Sequence, residues 1–148
     1  LAEGVAEATF LACAGLNRLG MDIPRVAIEP GEMLPAVAQG AIGIERRVED
    51  GRVAEMLAAI HDVPTGQRLA AERAFLAALD GSCETPIAGL AILDGDSLWL
   101  RGEILRPDGS ECLADEARVP ISQAEGVGRE LAVRLLERAG PGFFDFRP

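Results

Sequence analysis

Two Asp-Gly pairs, Asp94-Gly95 and Asp108-Gly109, separate three short apolar runs, and that spacing limits the fold more than any other feature of the chain. Asp-Gly readily adopts the tight turns that join neighbouring antiparallel strands. The runs Ile87 to Leu93, Leu98 to Leu105 and Cys112 to Val119 therefore predict a three-strand antiparallel meander. Its turns fall at Asp94-Gly95-Asp96 and Pro107-Asp108-Gly109-Ser110. Helical patterns bracket it. On one side Asp62 supplies a cap and Pro64 opens a helix that carries Leu69, Leu76 and Leu79 inward, pairs Arg68 with Glu72 at i and i+4, and stops at Asp80-Gly81. On the other, Ser122 and Glu125 read as a capping box ahead of Val127, Leu131, Leu135 and Leu136, with Gly140-Pro141 as the stop. The expected class is α+β: a C-terminal three-stranded antiparallel sheet covered on one face by two helices, over residues 63–148.

The preceding residues, 1–62, do not form a unit of this kind. The apolar run Thr9 to Ala14 predicts a buried strand leading into a short helix, or one continuous helix, ending at Gly20. Pro24, Pro30, Gly31 and Pro35 punctuate Val26 to Ile28 and favour an extended crossing between domains. Gly40 to Arg46 suits a short strand, and Val53 to Ile60 suits a helix with Val53, Met56, Leu57 and Ile60 on one face. Neither makes a core alone, so this stretch reads as partial α/β elements of preceding domains. The chain begins at Leu1 without methionine, within what reads as an apolar element, and is expected to be a fragment.

Length and composition bound the function. At 148 residues the chain is one domain, or one domain with a piece of another. Apolar residues at 49% and charged ones at 26% describe a folded globular protein. No stretch approaches the ~20 apolar residues that cross a bilayer. The formal charge of -10 makes nucleic acid and anionic membranes poor partners for the chain as a whole, so an anion site would be local. All 14 cations are arginine, which GC-rich coding bias explains most simply, although the planar fork of arginine also suits bidentate carboxylate contacts. Cys13, Cys83 and Cys112 are odd in number and lack CxxC spacing, which argues against a disulfide framework or a zinc site and for reduced thiols in the cytoplasm.

Most templates for chemistry fail. His61 is the only histidine, which removes HExxH and other multi-histidine metal sites, and no phosphate-binding glycine motif is present. Carboxylates are plentiful, but no pair has a spacing that marks an acid–base site. Cys83 stands apart because it lies on the loop Asp80-Gly81-Ser82-Cys83-Glu84-Thr85-Pro86, between a helix end and a strand. A thiol there could be held open for chemistry, or could simply be a small buried thiol. Cys13 and Cys112 fall on apolar or alternating runs and read as packing residues.

At that loop the sequence resembles a known family. Ala71-Glu72-Arg73-Ala74-Phe75-Leu76, followed by Leu79, Gly81, Cys83, Pro86 and Ile87, is similar to the A-E-R-A-F-L…L-x-G-G-C-x-x-P-I signature of porphobilinogen deaminases, or hydroxymethylbilane synthases. Leu34-Pro35-Ala36-Val37-Ala38-Gln39-Gly40-Ala41-Ile42-Gly43-Ile44-Glu45 resembles the family's L-P-A-V-G-Q-G-A-L-G-I-E motif, and Leu11 to Gly20 its L-A-x-A-G-L-x-R-L-G segment. The likeness runs over essentially the whole chain and corresponds to the C-terminal half of the enzyme.

The resemblance implies an activity and a division of labour. The family condenses four porphobilinogen molecules head to tail, with loss of ammonia, to form hydroxymethylbilane in tetrapyrrole biosynthesis. Residues 1–62 would be the end of domain 2, a crossover and the return segment of domain 1, and residues 63–148 the C-terminal cofactor-attachment domain. By motif position Cys83 would carry a dipyrromethane cofactor through a thioether, formed when a soft thiolate adds to the electrophile left by deamination of porphobilinogen. Arg18 would contact substrate carboxylates, and Gln39 and Gly40 would belong to a cleft-side loop near the cofactor. Partners would be porphobilinogen, the growing polypyrrole and the N-terminal half of the enzyme. That half carries the family's catalytic aspartate and most of its cations, so this portion is expected to hold no catalytic residue and to lack turnover alone. The parent is expected to be a monomer and the fragment to be able to self-associate. Ser82 and Ala38 each stand where the family has glycine. Two other readings compete: a noncatalytic regulatory or small-molecule-binding module with a packed Cys83, and a half enzyme that works with a separately encoded N-terminal chain.

Overall fold

The computed structural model of the chain describes residues 1, 3–82 and 84–145. These form two compact units, Leu1–Met33 and Leu34–Pro148.

In the first unit the chain forms one short helix, α1 (Cys13–Arg18). It closes in a Schellman arrangement: Gly20, at φ +62°, donates its N–H to the Asn17 carbonyl, and the Met21 N–H donates to the Leu16 carbonyl. Arg25 braces this end, giving one guanidinium N–H to the Met21 carbonyl at 2.8 Å and another to the Asn17 side-chain oxygen at 3.0 Å. The strand expected over Thr9 to Ala14 does not form. A strand needs a neighbour to take its backbone groups, and the sheet among the described residues lies wholly in the other unit. Phe10 and Leu11 are accordingly exposed.

The second unit contains helices α2 (Gly51–Ala58), α3 (Val63–Ala78) and α4 (Ala124–Ala139), and strands β1 (Ile87–Asp94), β2 (Ser97–Leu105) and β3 (Cys112–Pro120). The strands are antiparallel in the order β1-β2-β3. Register follows from the turns. Asp94 pairs with Ser97 across a two-residue loop whose first member, Gly95, has φ +57°. The second turn is knitted by Asp108, whose carboxylate accepts from the Ser110 N–H and hydroxyl at 2.9 and 2.6 Å.

That register stacks Gly89, Gly102 and Asp115 in one row and Ala91, Leu100 and Ala117 in the next, all on one face. Both α3 and α4 cover this face. Phe75, Leu98, Leu100, Ile104, Leu131 and Leu135 are fully buried between the layers. The expected α+β layer is therefore present. The opposite face stays open and carries Trp99, whose ring lies under the guanidinium groups of Arg101 and Arg118 at 4.6 and 4.3 Å.

Asp62 caps α3 as expected, accepting from the Thr65 N–H at 2.8 Å. At the other end Asp80, not Gly81, takes the left-handed conformation at φ +52°, and the N–H groups of Asp80 and Gly81 close on the Ala77 and Leu76 carbonyls. The capping box at Ser122 does not form. A 3₁₀ turn over Ile121–Gln123 runs directly into α4, the Ala124 N–H reaches back to the Ile121 carbonyl, and no side chain caps the helix. Glu125 instead pairs along the helix with Arg129 at 2.8 Å.

Residues 42–48 are irregular, so the strand expected over Gly40 to Arg46 is also absent; Ile42 and Ile44 are exposed. Helix α2 starts two residues before the expected Val53 because Asp50 accepts from the Val53 N–H. Met56 and Ile60 remain exposed, so its apolar face has only partial cover.

Candidate functional site

Helix α3 organises the two segments that sequence reasoning singled out in this unit. The first is the loop Ala36–Ala41. Its Gln39 N–H donates to the Ala36 carbonyl and its Ala41 N–H to the Ala38 carbonyl, a tight double turn with Ala38 at φ +58° and Gly40 at φ +76°. Gln39 and Gly40 are exposed on its outer side. Val37 points the other way, packing against the core.

What holds this loop is Glu72. The expected ion pair with Arg68 is not made; Arg68 bonds the Thr65 hydroxyl instead. Glu72 is 5% exposed, lies on the inward face of α3 beside Ala71 and Phe75, and accepts two backbone hydrogen bonds. The Ala38 N–H donates to Oε2 and the Ala91 N–H to Oε1, both at 2.8 Å. A buried carboxylate is tolerated only with such partners. The signal was present in the sequence: Leu69, Leu76 and Leu79 define an inward stripe, and a position between Leu69 and Leu76 at helical spacing is Glu72.

The second segment follows the end of α3. Cys83 itself lies outside the described residues. Its neighbours form a turn tied by hydroxyls: the Ser82 N–H donates to the Thr85 hydroxyl at 3.0 Å, the Glu84 N–H to the Ser82 hydroxyl at 3.2 Å, and the Thr85 N–H to the Ser82 carbonyl at 3.2 Å. Pro86 then joins the sheet, accepting from the Leu105 N–H. A pocket of about 390 Å³ adjoins this turn, lined by Ser82, Glu84, Thr85, Pro86, Pro107 and Phe144.

The pocket combines flat proline and phenyl faces with two hydroxyls, which suits a planar ring. It offers little to a polyanion. Glu84 contributes a carboxylate, and the nearest cation in sequence, Arg106, is committed to Glu111 at 2.9 Å and to the face of Phe143 at 4.7 Å. Arg18 is exposed at the last turn of α1 in the first unit.

The two remaining cysteines are exposed, contrary to the packing role expected of them. Cys13 opens a six-residue helix with little around it, and Cys112 sits at the end of β3 on the uncovered face. Burial, and then the Glu103 carboxylate, push the Cys112 thiol above its ordinary value.

Residues 67–137 match the family description "Porphobilinogen deaminase, C-terminal domain", and residues 1–55 match "Porphobilinogen deaminase, dipyromethane cofactor binding domain". The porphobilinogen deaminase of Paracoccus denitrificans (strain Pd 1222) is 61% identical to the chain over 147 residues. The chain belongs to the porphobilinogen deaminase family. That alignment covers 99% of this chain and 47% of the relative, so the chain spans about half the length of the curated relative it matches. Within the family's two descriptions, Arg18, Gln39 and Gly40 fall in the cofactor-binding one and Cys83 in the C-terminal one. The porphobilinogen deaminase signature Ala71 to Leu76 is thus the stretch of α3 that carries the buried Glu72.

Proposed function

We propose that the chain is the C-terminal part of a cytoplasmic hydroxymethylbilane synthase, a transferase that joins four porphobilinogen molecules head to tail with release of ammonia. The identity of 61% across nearly the whole chain carries this reading. Residues 1–62 are assigned to the end of domain 2, the crossover and the return segment of domain 1, and residues 63–148 to the C-terminal cofactor-attachment domain.

Cys83 is assigned as the attachment residue. The step needs a thiolate: the C–N bond of a porphobilinogen unit breaks, ammonia leaves with loss of the ring N–H proton, and sulfur then adds to the exocyclic carbon of the resulting electrophile, forming the C–S bond as the ring nitrogen regains a proton. When bound, the dipyrromethane supplies the pyrrole carbon from which the chain of four further units grows. The Ser82–Thr85 turn holds the backbone on either side of Cys83, and Pro86, Pro107 and Phe144 offer flat surfaces for a ring. Arg18 is assigned to substrate carboxylates, and Gln39 and Gly40 to the wall near the cofactor. Turnover requires the N-terminal half, and the chain alone is free to associate with itself.

The test is an intact mass of the chain after coexpression with the N-terminal half of a porphobilinogen deaminase, with Cys83→Ala alongside and Ehrlich's aldehyde to stain pyrrole. The expected result is an added mass of two porphobilinogen units less two ammonia, lost in Cys83→Ala. No adduct, or one that survives in that variant, would overturn the assignment.

A further inference from the structure

Helix α3 touches both segments assigned to the site. It delivers the chain to Ser82, and through Glu72 it grips the Ala36–Ala41 loop that presents Gln39 and Gly40. We infer that Glu72 is a positioning residue: its carboxylate, bridging the Ala38 and Ala91 N–H groups, fixes the Gln39–Gly40 loop to the helix that leads to Cys83. The assignment of Gln39 and Gly40 to the cofactor wall rests on the function proposed above; the grip itself does not.

Three observations converge on this role. The loop has few other anchors: the Gly89 N–H donates to the Pro35 carbonyl at 3.0 Å, Val37 lies against Gly89, and Leu34 is buried. Ala38 sits at φ +58°, a conformation that costs a non-glycine residue energy and persists only where neighbours enforce it. Its N–H, at 2.8 Å from Glu72, supplies that enforcement directly. Finally, both carboxylate oxygens are used, one for the loop and one for strand β1, so the same side chain references the loop to the sheet as well as to the helix.

Glutamine tests this without changing shape. Its single carbonyl oxygen can accept from only one of the two N–H groups, and the other then faces an amide NH2. Amide hydrogen exchange in the 148-residue chain is measured for wild type and Glu72→Gln. We expect exchange at Ala38, Gln39 and Ala41, the loop amides that donate hydrogen bonds, to accelerate roughly tenfold or more, the loss associated with a charge-assisted hydrogen bond, while Leu100 and Leu131 change much less. Equal acceleration in loop and core, or no change in the loop, would overturn the inference. Should Glu72→Gln not fold, the wild-type chain decides alone, through NMR coupling across the hydrogen bonds from the Ala38 and Ala91 amide nitrogens to the Glu72 carboxylate carbon. Detected couplings support the grip and absent ones refute it. Either readout is independent of the mass experiment, so the inference and the proposed activity fail separately.

Discussion

Gly128 of α4 lies so close to α3 that a Cβ built on it would sit 2.3 Å from the Ala71 carbonyl oxygen and 2.8 Å from the Phe75 nitrogen. Backbone cannot yield as a flexible side chain can, so the two helices owe their close approach to this glycine. Gly128→Ala is expected to force them apart and cost about 1–3 kcal/mol, despite alanine's better helix propensity. Gly126, two residues earlier with nothing near its Cβ, is the control: Gly126→Ala should gain a few tenths of a kcal/mol, up to ~1. Urea denaturation followed at Trp99, the single tryptophan, measures both.

Ala38 and Asp80 are the non-glycine residues with positive φ among those described. Glycine relieves the Cβ clash at such a position but loses more chain entropy on folding. Ala38→Gly is expected to stabilise the second unit by about 1 kcal/mol, and Asp80→Gly by less, because aspartate tolerates this conformation better than alanine does. Thermal melts of the two variants should rank in that order.

Asp115 and Arg134 join β3 to α4 at 2.7 Å, reinforced by Arg138, which donates to the Ala114 carbonyl at 2.9 Å. Burial opposes ionisation of Asp115, but the bond from Arg134, the Glu116 N–H and the charges of Arg134 and Arg138 outweigh it and hold the carboxyl below its ordinary value. A depressed carboxylate stabilises the fold above the unfolded value, near ~3.9, and that contribution fades as the pH falls through the folded one. Asp115→Asn should therefore cost about 0.5–1 kcal/mol at pH ~7, allowing for the exposure of Arg134, and almost nothing well below pH ~3. Denaturation curves at the two pH values give the difference.

Cys112 is largely exposed, yet the protein atoms that still shield its sulfur from water, and then the Glu103 carboxylate, raise its thiol above the ordinary value, so it is expected to be a slow nucleophile. In a Cys13→Ala/Cys83→Ala background, iodoacetamide should label it more slowly than an unhindered thiol at the same pH. Glu103→Gln should speed labelling only in part, because burial, the larger cause, remains. A rate equal to that of free cysteine would contradict this account.

The meander and its two helices were legible because each rests on local chemistry: turn residues fix the strands, and Asp62 and Gly140 mark helix ends where the structure has them. The misreadings share a cause in tertiary context. Glu72 looked like a surface partner for Arg68 because i,i+4 spacing reports helix neighbours, not what lies opposite the helix; its true partners are 34 and 19 residues away. Ser122 has the right spacing for a cap, but it lies inside the 3₁₀ turn Ile121–Gln123, which already engages the Ala124 N–H. Thr9 to Ala14 and Gly40 to Arg46 carry strand-like composition without a strand beside them, and composition alone does not make a ladder. Of the site, Cys83 stands out by its place on a loop between helix and strand, Arg18, Gln39 and Gly40 through motif likeness alone, and Glu72 by its place on the inward stripe of α3, whereas its two backbone partners are apparent only in the structure.

Strand β1 borders the sheet, and its outward N–H groups at Gly89 and Ala91 are already taken by the Pro35 carbonyl and by Glu72. An incoming strand from another molecule would find those donors occupied. On the opposite border, β3, the Ala114 carbonyl is taken by Arg138, and the strand carries the charged Asp115, Glu116 and Arg118 and ends in Pro120, a sequence poorly suited to templating. The residue that steadies the Ala36–Ala41 loop thus also guards the sheet against edge-to-edge aggregation, and loosening it would expose a sticky border as well as a mobile loop.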